Sequence, residues 1–221
     1  MDKDHVNTAK VDFRKSVLAG MAIALGCVAF VSVDNRYLGA FLFSIGLLTI
    51  CGMGWSLFTG KLCRYEGDFG DLPVIWAGNF LGSLIVFICY RITTDPYPAV
   101  AIAEKKFTKS IPNAFVSGIL CEICIYIAVV GYRTIQASIG KYLSIILGVM
   151  VFILCGFEHC IADMFYFLAY IAPNTVLYAA AILLFVTAGN IAGAILMNSL
   201  DAKSRIRELT EQRIRIRRDR R

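Results

Sequence analysis

The chain has 221 residues, 58% of them hydrophobic and only 17% charged, and its mean hydropathy of +0.68 excludes an ordinary soluble domain. Its formal net charge is +6, and much of the basic excess lies in the last 19 residues. Seven of the eight cysteines sit inside apolar runs, where a thiol behaves as a small hydrophobe, so no disulfide framework is implied.

A helix needs about 20 apolar residues to cross the hydrocarbon core. The first such run covers 16–33. It resembles a signal-sequence core, but "ALGC" at 24–27 is a poor cleavage site, and the run is read as a retained span. The second covers 37–60, with Gly52 and Gly54 followed by Ser56 and Thr59. The third covers 72–90 and contains "AGNFLGS".

A connection at 92–111 carries Lys105, Lys106 and Lys109. The fourth run, 110–132, holds Glu122, and the fifth, from 142 to about 171, holds Glu158, His159 and Asp163. "IAPNT" at 171–175 turns the chain into the sixth run, which ends near 200 and contains "AGNIAGA". A basic tail over 201–221 follows. It is read as lying against anionic headgroups and not as a nucleic-acid arm, so no nucleic-acid partner is expected.

Six spans put both termini on one side. Seventeen of the 22 lysines and arginines then fall on the side of the termini and five on the other, so both termini are expected to be cytoplasmic.

The two halves repeat. "AGNFLGS" at 77–83 recurs as "AGNIAGA" at 188–194, "CGMGWSLFT" at 51–59 faces "CGFEHCIAD" at 155–163, and "LAGMAIAL" at 18–25 faces "VSGILCEI" at 116–123, at offsets of 111, 104 and 98 residues. Three spans per half make the second half inverted relative to the first. The expected domains are therefore a tail at 1–15, one repeat at 16–91, the 92–111 connection, a second repeat at 112–200 and the 201–221 tail.

The paired GNxxG segments provide close helix packing, and Asn79 and Asn190 are expected to bond within the protein. Gly52, Gly54 and Gly156 mark breaks in the second and fifth spans, with Glu158 accepting backbone amides of the restarted helix. A break at membrane depth lines a cavity or is buried in protein, and a restarted N-terminus favours an anion.

Other site chemistries fit less well. "CEIC" at 121–124 is a lone CxxC in a hydrophobic helix, and the Cys155, Glu158, His159, Cys160 group has no second cluster, since the other histidine is His5. No metal, cofactor or enzymatic activity is expected. Neither broken span contains the Asn-Pro-Ala turn of a neutral-solute aquaporin.

"GFEHCIADMF" at 156–165, "SLFTGK" at 56–61, "GNFLG" and "GNIAG" together resemble the formate/nitrite transporter family over roughly 15–200. The resemblance implies an all-α polytopic membrane protein: a homopentamer of aquaporin-like six-span protomers whose second and fifth helices are broken, in a bacterial or archaeal cytoplasmic membrane. Each protomer would conduct a small monovalent anion together with protons. Formate is the first expectation, and nitrite and hydrosulfide are the alternatives.

By resemblance the central histidine falls on His159, which is expected to be the mid-path hydrogen-bond donor or proton relay, the second-span loop on Leu57, Phe58 and Thr59, the constrictions on Phe43, Leu47 and Phe152, and an outer lysine on Lys106. Glu122 and Asp163 stand where the family pattern has Asn, which adds acidic groups near the path.

Overall fold

The computed structural model describes residues 12–63 and 70–219, with backbone alone for 203–219. The expectations for Lys3, Lys10 and Arg64, and for the side chains of the basic tail, lie outside the described residues. Within them run α1 (Phe13–Val31), α2 (Arg36–Met53), α3 (Phe58–Leu62), α4 (Asp71–Thr93), α5 (Tyr97–Phe107), α6 (Ile111–Thr134), α7 (Ser138–Cys155), α8 (Cys160–Tyr170) and α9 (Val176–Asp219). Six of these helices are long and apolar enough to cross a membrane.

Local signals start the helices. Asp12 caps α1 through the Arg14 N–H, Asn35 caps α2 through the Tyr37 and Leu38 N–H groups, and Ser110 caps α6 ahead of Pro112. Outward-facing positions remain apolar, as with Phe41, Ile45, Leu147, Val151 and Leu184, which suits lipid and not water there.

The two repeats are α1 to α4 and α6 to α9, joined by α5. In each, the first helix packs on both long partners: α1 on α2 and α4, and α6 on α7 and α9. The repeats meet where α2 crosses α7, and each half-helix reaches into the other repeat, α3 against α9 and α8 against α4. The described residues thus form a six-span, all-helical membrane protein built from two inverted three-span units with the second and fifth spans broken.

Glycine permits the close contacts. A Cβ on Gly82 would lie 2.1 Å from the Val17 carbonyl oxygen, and one on Gly189 2.2 Å from that of Phe115, so α4 meets α1 and α9 meets α6 backbone to backbone.

The structure shifts the expected register of the repeat. α2 ends at Gly54 (φ 66°) and α7 at Gly156 (φ 70°), both left-handed caps, 102 residues apart. The first and fourth spans share this offset: Ser56 N–H donates to the Lys15 carbonyl and Glu158 N–H to that of Ser117. The 104- and 98-residue matches read from identical letters are therefore displaced. Gly52 lies within the last turn of α2 and breaks nothing, because the helix continues to Met53.

Two elements differ from the simple span plan. The connection expected over 92–111 contains α5, which carries Lys105 and Lys106 in its last turn. The sixth span and the basic tail form one helix of 44 residues, about 66 Å at 1.5 Å per residue, so the expected boundary at 201 falls inside α9.

Candidate functional site

Each broken span leaves a half-helix whose first amide lacks an intrahelical acceptor. Asparagines from the GNxxG segments supply it. Asn79 Oδ1 accepts from Phe58 N–H at 2.8 Å, and its Nδ2 donates to the Ser16 and Ser56 carbonyls at 2.7 and 2.9 Å. In the other repeat Asn190 Oδ1 accepts from Cys160 N–H at 3.1 Å, and its Nδ2 donates to Gly118 and Glu158 carbonyls at 2.8 and 3.1 Å. Both side chains are fully buried and all their hydrogen-bonding groups are engaged. A satisfied amide of this kind fixes backbone position at membrane depth, where an orphaned group costs several kcal/mol.

The residue just before each half-helix differs between the repeats. Leu57 precedes α3 and makes no side-chain cap, whereas His159 precedes α8 and caps it, its Nδ1 accepting from Ala162 N–H at 3.1 Å. An Nδ1 that accepts is unprotonated, so the proton of the neutral ring is on Nε2. Nε2–H points to Thr59 Oγ1, 2.9 Å away, and Thr59 and His159 are both buried. The hydroxyl accepts from the ring and keeps its own hydrogen to donate.

Apolar rings enclose this pair. Phe152 stacks near-parallel on His159 with centroids 5.8 Å apart, and Phe43 meets Phe152 edge-on at 5.8 Å. Phe43, Leu47, Leu57 and Phe152 are at most 2% exposed, and Phe58 is also buried.

Cavities open at either end of this plug. One, of about 450 Å³, is lined by Arg36, Lys105, Lys106, Lys109, Gly156 and Glu158 among others. The second, of about 170 Å³, is lined by Leu47, Gly54, Leu57, Lys61, Tyr132 and Arg133 among others. Each cavity includes one of the two left-handed glycines and carries more cations than acids, which favours anions.

Lys106 binds both Glu158 and Asp163, the latter at 2.7 Å, and lies over the Tyr166 ring with its nitrogen 5.6 Å from the centroid. Lys109 also binds Glu158 and donates to the Gly156 carbonyl at 2.7 Å. Burial opposes the charge on Lys106, but the carboxylates of Asp163 and Glu158 outweigh it and hold the ammonium above the ordinary lysine range.

Contrary to the expectation from sequence, the Glu158 side chain accepts no backbone amide among the described residues. Asn190 performs that task and the carboxylate goes to the lysines. Asp163 is likewise committed to Lys106. Glu122 lines neither of the two cavities; it is fully buried behind α3, where its Oε1 accepts from the Cys63 thiol. Of the residues expected from sequence, Phe43, Phe152, His159 and Thr59 are joined by direct contacts, Leu57 and Phe58 precede Thr59 in the chain, Leu47 and Leu57 line the narrower cavity, and Lys106 lines the wider one.

Sequence reasoning missed Arg36, whose guanidinium donates to the Leu154 and Ile153 carbonyls at the end of α7. Its signal was a cation at a span start, indistinguishable in sequence from an orientation charge.

The formate/nitrite transporter family model matches residues 69–201. The chain is 25% identical over 183 residues to the formate channel FocA of Haemophilus influenzae, covering 70% of this chain and 64% of the relative's length. It is 28% identical over 214 residues to the nitrite transporter NirC of Escherichia coli, covering 82% and 79%. A solved pentameric formate channel with formate bound superposes with a TM-score of 0.73 at 26% identity, covering 85% of this chain and 93% of that one.

Proposed function

The chain belongs to the formate/nitrite transporter family, and on that premise we propose that it is a formate channel in which the Thr59–His159 pair is the mid-path polar contact. It is an integral membrane anion channel with the family's aquaporin-like fold. The observation that carries the reading is one buried hydrogen-bonded pair, sealed by Phe43, Leu47 and Phe152, between two cation-lined cavities.

Desolvating a carboxylate-sized anion costs, by Born estimate, on the order of 20 kcal/mol before relaxation. The same molecule carrying a proton costs only a few kcal/mol, and less once hydrogen-bonded. The cations at each cavity concentrate the anion. Formate then takes a proton and passes the apolar plug as the neutral acid, its oxygen accepting from the Thr59 hydroxyl.

His159 holds that hydroxyl in place. Its Nδ1 is engaged by Ala162 N–H and its Nε2–H by Thr59, which leaves no free ring proton for the substrate. The proton therefore comes from cavity water, and protons are co-substrates of the transfer. The assembly is a homopentamer in the cytoplasmic membrane of a bacterium or archaeon, lipid around it and both termini on the cytoplasmic side. The domain limits follow the repeat: 16–91 and 112–200, with tails outside and the lysine-bearing connection between.

Flux into proteoliposomes tests this. Formate uptake should saturate and rise as the pH falls from 7.5 to 5.5. Passage of nitrite or hydrosulfide with formate excluded would transfer the assignment to another substrate, and passage of none of the three would end it.

A further inference from the structure

α3 is five residues long, too short to hold a helical conformation by itself, yet it presents Thr59 to His159. Its terminal carbonyls need partners and the surrounding helices supply them. Asn198 Nδ2 of α9 donates to the Leu62 carbonyl at 2.8 Å, and Arg133 Nη1 of α6 donates to that of Cys63 at 3.3 Å. The Cys63 thiol faces two acceptors, each 3.5 Å from sulfur: the Thr59 carbonyl, one turn back, and Glu122 Oε1 of α6.

Glu122 is 0% exposed, and its second oxygen, Oε2, has no hydrogen-bond partner among the described residues. A buried carboxyl placed with so little polar compensation is costly, so the contact it does make needs a reason. The position 102 residues earlier, Gly20, packs directly on the Asn79 backbone, so the inverted repeat has no acid at the equivalent place. Glu122 is thus peculiar to the half that faces α3.

We propose that Glu122 is a positioning residue which, through the Cys63 thiol, holds α3 at the depth and rotation that keep the Thr59 hydroxyl on His159. The inference rests on the reading of Thr59–His159 as the mid-path contact. Without the clamp α3 gains freedom at its C-terminal end, and Thr59 loses its register against the ring. The plug then admits larger acids relative to formate.

The experiment compares Glu122→Ala, Glu122→Gln, Cys63→Ala, Cys63→Ser, the double alanine variant and Thr59→Val, all as full chains in proteoliposomes. Formate and acetate uptake is measured and normalised to the amount of monodisperse protein reconstituted. Glu122→Ala and Cys63→Ala should each cut formate flux about fivefold, the effect of one hydrogen bond. Both should raise the acetate-to-formate ratio, which a loss of folded protein would not.

The double variant should be no worse than either single one, and Gln and Ser, which retain the contact, should stay within about twofold of wild type. Additive losses, or an unchanged ratio in Glu122→Ala while Thr59→Val loses flux, would overturn the clamp and leave the pore reading standing. Wild-type flux in Thr59→Val would remove the pore reading, and the clamp with it.

Discussion

Leu57 and His159 occupy equivalent positions, each the residue before a half-helix and 102 residues apart, yet only His159 caps its helix and reaches across to the other half. The path owes its one mid-membrane polar pair to this departure from two-fold symmetry. His159→Leu restores the symmetry and removes both ring contacts. Formate flux should fall on the order of tenfold or more, since two hydrogen bonds are lost, and sided uptake into proteoliposomes measures it.

Thr59 offers a sharper comparison, because its hydroxyl accepts from the ring and donates onward. Thr59→Ser keeps both functions and should retain flux within about twofold, whereas the isosteric Thr59→Val should lose about tenfold. Equal fluxes in the two variants would exclude the hydroxyl from transport.

The acids around Lys106 fix how its charge responds to pH. Its folded-state value is raised against a burial effect in the opposite direction, so the stability it contributes is complete below the unfolded lysine value, about 10.4, and fades only as pH rises through the folded one. Lys106 therefore stays charged between pH 5 and 8, and thermal unfolding should show no lysine-linked loss there. Lys106→Met leaves Glu158 and Asp163 without that partner and should cost about 3–5 kcal/mol, seen as a lowered Tm. Asp163→Asn leaves the Lys106–Glu158 pair intact and should be much milder.

Glycine substitutions separate packing from conformation. An added Cβ at Gly20 would lie 2.0 Å from the Asn79 carbonyl oxygen, and no flexible side-chain end is there to yield. Gly20→Ala should sharply reduce recovery of folded protein. Gly52 has nothing within 4 Å of an added Cβ and sits in a regular helix, so Gly52→Ala should be neutral or stabilise by about 0.5–1 kcal/mol. Similar thermal stabilities for the two variants would contradict the packing scheme.

Apolar run length and charge position were enough to locate the six spans, and the duplicated GNxxG segments to expose the repeat, because both depend on local composition. The register was harder. Identical letters such as Cys51 and Cys155 attracted the comparison two residues away from the structural match, which is set by the φ of Gly54 and Gly156 and not by side-chain identity.

Charged residues were harder still. Whether Glu158 binds amides or lysines, and whether Glu122 faces water or a thiol, depends on which helices pass beside it. The short helix carrying Lys106 was hidden because α5 is too short to span and carries three charges of its own in eleven residues.

An inverted duplicate has a single joint, and here the joint is α5. Because α5 joins the two halves beside the wider cavity, Lys106 there rides on a covalent strap, whereas Lys61 and Arg133 at the other cavity stand on α3 and α6. Both broken spans stop at a left-handed glycine, but the chemistry beyond each is not the same: the molecule has a front door and a back door, and they were built by different parts of the chain.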